Sequence, residues 1–224
     1  MNKVFITGAT SGLGQAVAEG FLAAGKTVYI HGRSKEKVRS LLKNPHCHYF
    51  RQDLLDLGRI GKLIRFVKQE KIDCFVSNAG IYTDLGLESS ATLCQDILTT
   101  NLVAPILILK EVYRYFRDMR DGTIVSINSL AGLAPNFNEA VYCASKFGMK
   151  GYIKSLQLDA YRHNVRILDY YPGAIQTRMT RNRGEFDRFI KPGDIAALIV
   201  ANVTTEASFV PVTQELRRSP SASP

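Results

Sequence analysis

Tryptophan is absent from this chain of 224 residues, and its four cysteines, Cys47, Cys74, Cys94 and Cys143, lie far apart with no CxxC pair. That spacing argues against a zinc ribbon and against a disulfide-stapled secreted scaffold, and it points to reduced thiols. His46-Cys47-His48 sets two imidazoles on one face of a strand-like run, but no third or fourth ligand lies nearby in sequence, so no metal is expected. No run approaches the roughly 18 consecutive apolar residues of a membrane helix. The first strand-like run, Lys3 to Thr7, begins almost at Met1 and leaves no room for the charged and apolar regions of a signal peptide. Neither a Pro/Ser-rich linker nor an internal repeat divides the chain. The expectation is a soluble, cytoplasmic protein without a membrane partner.

What is present is ordinary in amount. Hydrophobic residues make up 46% and charged residues 22% of the sequence, which is globular composition. Lys and Arg number 29 against 20 Asp and Glu, a net +9. Residues 1–112 hold 14 basic and 10 acidic side chains and residues 113–224 hold 15 and 10, so the excess is spread along the chain. A nucleic-acid module gathers such charge into a stripe interleaved with aromatics, and nucleic acid is therefore not an expected partner. The length suits one domain, drawn here as residues 1–216. The polar, helix-breaking 217–224 is read as a disordered tail.

Short runs rich in β-branched and aromatic residues recur at Val4–Ile6, Thr27–Ile30, Asp73–Val76, Thr123–Ile127 and Val165–Leu168, with weaker ones at His48–Arg51 and Ser208–Val212. Between them lie stretches of helical spacing, at Gln15–Ala24, Leu55–Gln69, Ala91–Phe116 and Ala140–Tyr161, and a further helix start at Lys191-Pro192-Gly193-Asp194. Alternation of this kind predicts βαβ units: an α/β, Rossmann-type, doubly wound and mostly parallel seven-stranded sheet with helices on both faces.

The first strand runs into Thr7-Gly8-Ala9-Thr10-Ser11-Gly12-Leu13-Gly14, and a helix follows. Glycines permit a tight turn and close approach of the backbone to a pyrophosphate, whose charge is attracted by free amides at the helix start. Between the first strand and the first helix of a βαβ unit, this is the logic of a dinucleotide site. The GxxxGxG spacing resembles the nucleotide loop of the single-domain short-chain dehydrogenase/reductase family, and further motifs of that family follow in register. Asp53-Leu54 follows the third strand. Ser77-Asn78-Ala79-Gly80 resembles an Asn-Asn-Ala-Gly motif, with Ser77 in place of the first Asn. Asn101, Ser129, the YxxxK pair Tyr142 and Lys146, and Pro172-Gly173-Ala174-Ile175-Gln176-Thr177 complete the series.

The resemblance implies a catalytic set of Asn101, Ser129, Tyr142 and Lys146. It implies cofactor contacts from Gly8, Thr10, Ser11, Gly12, Leu13, Gly14, Asp53, Leu54, Asn78, Ala79, Gly80, Tyr142, Lys146, Pro172, Gly173, Ile175 and Thr177. Asp53 would contact the adenine, and the segment from Pro172 to Thr177 the nicotinamide carboxamide. Ser129 would hydrogen-bond the reacting oxygen, and Asn101 would steady a helix kink and a water between Lys146 and solvent. Hydride would pass between a nicotinamide and a carbonyl carbon, with Tyr142 giving the proton in reduction and taking it in oxidation. Lys146 would also hold the nicotinamide ribose.

The residues make chemical sense without the family. Four positions apart on a helix, Tyr142 and Lys146 share a face. A phenol titrates near 10. An ammonium about 4 Å away at an effective dielectric of about 20 favours the phenolate by roughly 4 kcal/mol, a lowering of about three pKa units before other effects intervene, which would bring Tyr142 into the range of a general acid or base. Cofactor choice turns on Gly32-Arg33-Ser34, where an NAD enzyme would place an acidic side chain for the ribose 2′-OH. Arg33 and Ser34 suit a 2′-phosphate instead, so NADP(H) is favoured over NAD(H).

Substrate contacts are expected from Ser129, Leu130, Tyr142 and Met179. The pocket walls are drawn from Ile81, Tyr82, Leu130–Phe137 and Met179–Phe189. The short lid, basic through Arg178, Arg181, Arg183, Arg188 and Lys191, points to a small or extended carbonyl or alcohol, with a 3-oxoacyl group on acyl carrier protein or coenzyme A as one candidate. The pattern resembles both 3-oxoacyl carrier-protein reductases and general carbonyl reductases. The family's C-terminal Asp-Gly-Gly segment is missing, so a dimer or monomer is expected over a tetramer. Two alternatives stand beside this reading: a catalytically silent NADP(H)-sensing protein, and a sugar-nucleotide epimerase or dehydratase.

Overall fold

The computed structural model describes residues 1–205 and 209–220. Seven strands are present: β1 (Lys3–Ile6), β2 (Thr27–Gly32), β3 (Cys47–Arg51), β4 (Cys74–Ser77), β5 (Thr123–Ile127), β6 (Arg166–Pro172) and β7 (Thr213–Leu216). They form one sheet in the order β3-β2-β1-β4-β5-β6-β7, and every pairing is parallel. Parallel neighbours need crossover connections, which are supplied by α1 (Gly12–Ala23), α2 (Ile60–Gln69), α3 (Ala91–Leu98), α4 (Ala104–Met119), α5 (Ala140–Ala160) and α6 (Pro192–Thr204), and between β2 and β3 by two 3-10 turns at Glu36–Val38 and Leu41–Lys43.

Helices on both faces explain why the central strands read as continuous apolar runs. Val4, Ile6, Val76, Val125 and Leu168 point to the face covered by α1 and α6. Phe5, Phe75, Ile124 and Ile167 point to the opposite face, under α2, α4 and α5. Phe5 and Phe75 stack across β1 and β4 with ring centres 5.4 Å apart.

The stretch Ala91–Phe116, expected as one helix, is interrupted by a π-helical turn at Thr99–Val103 that holds Asn101. With that turn the helical segment runs from Ala91 to Met119, long and apolar enough by composition to cross a membrane. Its apolar stripe is used inside the protein, where Ile97, Ile108, Leu109, Val112 and Phe116 are buried. The helix expected from Leu55 begins later, as a 3-10 turn at Leu57–Arg59 followed by α2.

The last strand is a correction. It was expected at Ser208–Val212, of which Ser208 lies outside the described residues. Pro211 carries no N–H for a ladder, and Phe209, Val210 and Val212 remain exposed in the approach to the sheet. The chain enters the ladder where Asp169 N–H donates to Val212 O (3.2 Å), and pairing then runs over Thr213–Leu216. An edge strand has a single neighbour, so the alternately exposed Thr213 and Glu215 are tolerated there. Of the expected tail, Arg217 and Arg218 pair with Glu215 and Glu185, and residues 221–224 lie outside the described residues.

Truncation of the stacked ring tests the sheet core. Phe75→Ala is expected to cost about 3–5 kcal/mol, read as a lower urea midpoint with an unchanged slope.

Candidate active site

The strand order reverses between β1 and β4, and a cleft of about 580 Å³ opens at the carboxyl ends of the strands there. Thr7 joins the two strands. Its hydroxyl donates to Val76 O (3.3 Å) and accepts from the N–H groups of Asn78 (2.9 Å) and Ala79 (3.1 Å). The Asn78 amide donates back to Thr7 O and Gly8 O. Two glycines are required by this closeness. Gly8 has φ +65°, and a Cβ there would meet Ala79 Cα at 2.7 Å; a Cβ on Gly14 would meet Asn78 Nδ2 at 2.4 Å. Ser11 precedes α1 in extended conformation without a side-chain cap, and no acid occupies the first turn. The start of α1 thus keeps uncapped amides and the positive end of its dipole. Gly8, Thr10, Ser11, Gly12, Leu13 and Gly14 all line the cleft, as do Asn78, Ala79 and Gly80.

At one end of the cleft β2 finishes at Gly32, where any Cβ would lie 2.3 Å from Thr10 Cγ2, so a side chain there requires Thr10 to turn away. Arg33 Nη1 lies 3.8 Å from Asp53 Oδ2, both largely exposed, a pair of small worth by itself. The Ser34 hydroxyl donates to Glu36 (2.7 Å). Leu54 is buried at the cleft wall beside Asp53. Three neighbours escaped the sequence reading: Lys37, which adds a cation, and the buried His31 and Gln52. His31 Nδ1 accepts from Gly8 N–H, and burial holds its pKa down to about 4, so the ring is neutral at pH 7.

Ser129, Tyr142 and Lys146 meet at the other end, brought there by the end of β5 and the first turns of α5. The Ser129 hydroxyl faces the Tyr142 phenol and favours its ionised form, but burial dominates and pushes Tyr142 up to about 12. Lys146 Nζ lies 5.7 Å from the centre of the Tyr142 ring and donates to Ile127 O at 3.2 Å. The expected lowering of Tyr142 by about three pKa units is therefore not found: the ammonium is turned to a strand carbonyl, and desolvation outweighs what attraction remains. Burial also brings Lys146 down to about 8.

Asn101 stands apart from the other three and does not line the cleft. Its amide accepts from Ile81 N–H (2.8 Å) and donates to Ile81 O (2.8 Å) and Ser145 Oγ (3.2 Å). It clamps the segment after β4 to α5 across the π turn, and its bonds run to Ile81 and Ser145, not to Lys146.

Pro172 at the end of β6 and Gly173, Ile175 and Thr177 after it line the cleft, and Leu130 and Met179 border it beside Ser129 and the lid. Over Tyr142 lies a polar group of which the sequence reading had Tyr82 only as a wall residue and Glu139 not at all. Glu139 is buried and accepts from Tyr82 Oη and Asn136 Nδ2, each at 2.8 Å. Arg183 of the lid lies 3.7 Å from the same carboxylate and over the Tyr82 ring, which in turn packs edge-on to Tyr142 at 5.1 Å. Asn128 is a further buried cleft residue missed in the sequence. No periodic signal marks such residues; a lone acid one position before a helix was the single hint of Glu139.

The family profile described as short chain dehydrogenase matches residues 2–188. The 3-oxoacyl-[acyl-carrier-protein] reductase FabG of Aquifex aeolicus is 30% identical, over 92% of this chain and 91% of that protein. Nodulation protein G of Rhizobium sp. strain N33 is 32% identical over 80% and 75%. Among solved structures, 4-hydroxyisoleucine dehydrogenase complexed with NADH superposes with a TM-score of 0.88 at 24% identity, covering 100% of both chains. The closed form of serine dehydrogenase complexed with NADP+ gives 0.87 at 22%, covering 96% and 94%.

The Glu139–Arg183 contact ties the lid to the catalytic end of the cleft. Removing its charge with Glu139→Gln forfeits about 1 kcal/mol of lid closure, and tryptic cleavage after Arg178, Arg181 and Arg183 is expected to speed up about fivefold. An unchanged rate would mean that the Tyr82 ring alone holds Arg183.

Proposed function

The chain belongs to the short-chain dehydrogenase family and is an oxidoreductase acting on C=O or CH–OH groups, and from that premise we propose an NADP(H)-dependent carbonyl reductase that uses Tyr142 as its proton donor. The observation that carries this reading is the convergence of Ser129, Tyr142 and Lys146 at one end of a cleft whose other end presents Arg33 and Lys37. Between the two ends the residues fit a dinucleotide: the approach at Gly8 and Gly14 leaves no room for side chains, and the uncapped start of α1 suits a pyrophosphate. At the adenosine end position 32 is a glycine crowded by Thr10 and carries no acid, and Arg33 offers a forked donor set for a 2′-phosphate. Bound there, the nicotinamide supplies the hydride.

The chain's own part is proton supply and alignment. A phenol held near 12 keeps its proton at neutral pH, so Tyr142 Oη is charged with the proton that a carbonyl oxygen needs on reduction. Ser129 presents its hydroxyl beside that phenol and hydrogen-bonds the same oxygen. Lys146 brings a positive charge to the phenolate left after transfer. Asn101 acts from behind by fixing Ile81 and α5.

The substrate we assign is compact or extended, and a 3-oxoacyl thioester is the leading candidate. Support comes from the curated relatives named as 3-oxoacyl-[acyl-carrier-protein] reductases and from the basic lid, which suits an acidic carrier.

Tyr142→Phe is expected to lower kcat/KM for acetoacetyl thioesters and small ketones by about 10²–10⁴-fold while NADPH still binds; unaffected turnover would remove the assignment of Tyr142. In a fluorescence titration NADPH should bind at least about tenfold more tightly than NADH, and Arg33→Ala should erase the difference, as loss of a charged hydrogen bond worth about 1.5–3 kcal/mol requires. Equal affinities in the unaltered protein would overturn the NADP(H) choice.

A further inference from the structure

A second carboxylate lies out of reach of any substrate, in the layer between the sheet and α5. Asp169, in the middle of β6, has no exposed surface. It stands across from Ser126 of β5, one residue before the Ile127 carbonyl that Lys146 holds. Tyr171 Oη donates to Asp169 Oδ2 at 2.5 Å, and Ser126 sits beside the carboxylate. The Asn128 amide lies beside the Tyr171 hydroxyl and extends the same polar layer.

The charged and titratable groups around it come from two elements: β6 itself gives Tyr171, and α5 gives Lys146 and Lys154. β7 adds the neutral Thr213, which is opposite Asp169 in register and hydrogen-bonded by Lys154. Lys154 exerts the larger pull on Asp169, but it lies at the edge of the sheet within reach of water. Lys146 is buried, and Asp169 is the charge that works against its loss of a proton.

An acid and an ammonium taken out of water on adjoining elements are each costly alone, and each offsets the cost of the other. We propose that Asp169 is the buried counter-ion of Lys146 and a positioning residue of the proton-transfer pair, acting through the protein interior to keep the lysine charged at neutral pH. The positioning role rests on the reading of Tyr142 and Lys146 as that pair; the counter-ion role does not.

The signs follow from the environment of each group. Burial brings Lys146 down to about 8 with Asp169 opposing it, so removal of the carboxylate moves the lysine lower. Burial raises Asp169 from 3.8 to about 6, so the folded protein loses stability as pH rises through that range, and an amide at this position loses none.

The test is Asp169→Asn, which keeps the side-chain shape. In the protein without cofactor, the ¹³Cε signal of Lys146, identified by its disappearance in Lys146→Met, should titrate about one pH unit lower than in the parent. In the same samples the melting temperature of the variant relative to the parent should rise between pH 4 and pH 7. With substrate and cofactor, the basic limb of kcat/KM should move to lower pH by a similar interval. Tyr171→Phe, which withdraws a donor that favours the ionised acid, should shift both titrations the same way by less. An unmoved Lys146 signal overturns the counter-ion. A moved signal with an unmoved kinetic limb overturns the positioning role alone, and loss of the parent reading would be seen separately, as full activity in Tyr142→Phe.

Discussion

The hydroxyl of Thr7 holds the structure's functional half together. It bonds to β4 as donor and as acceptor at the point where the strand order turns back, and Asn78 returns two bonds to the same turn. Chain leaving β1 passes toward α1, while chain leaving β4 passes toward the segment clamped by Asn101, and the cleft is the gap between them. Because the closure is made by short side chains and bare glycine backbone, little can be added there without pushing the two strands apart. The same closure ends at the uncapped start of α1, whose positive dipole end favours an anion in the cleft.

At the catalytic end the governing quantity is desolvation. Tyr142 is pushed up and Lys146 down, each away from its charged form. Displacement in these directions drives the two groups apart in proton affinity, since the phenol grips its proton and the amine releases one more readily. Lys146 is turned to Ile127 O and not to the phenol, so its influence is that of a charge nearby and not of a hydrogen-bond partner. Glu139 opposes the formation of phenolate, and Arg183 opposes Glu139. The lid therefore enters the electrostatics of Tyr142 through a buried acid: displacing Arg183 leaves Glu139 less compensated and the phenol harder to ionise.

Much of this site was legible in the sequence because its parts are local patterns. Glycine spacing after a strand, a tyrosine and lysine four apart on a helix, and a proline-glycine pair after a late strand each need only a few neighbouring residues, and all these residues line one cleft. What was not legible depends on contacts between distant segments. His31, Gln52, Asn128 and Glu139 are lone polar residues in apolar surroundings, and only the fold tells which of them meet the cleft. The ionisation of Tyr142 was misjudged for the same reason: spacing gives the shared face of the helix, but not burial or the carbonyl that diverts the lysine. At the last strand, apolar content pointed to Ser208–Val212, whereas backbone donors decided the register, since Pro211 cannot join a ladder and the more polar Thr213–Leu216 can.

The buried polar layer under α5 fits this division between local pattern and distant contact. Ser126 in β5, Asn128 just after it, and Asp169 and Tyr171 in β6 alternate with apolar residues, so each looks like the solvent side of a half-exposed strand. Both faces of these strands are covered, and the alternation places polar groups against a helix instead of water. Filling that layer with hydrocarbon would be the simpler way to stabilise the sheet, because polar atoms left without partners weaken it. A carboxylate is nevertheless kept there, beneath the helix that carries Tyr142 and Lys146, where burial raises its pKa and the two lysines of α5 oppose that rise.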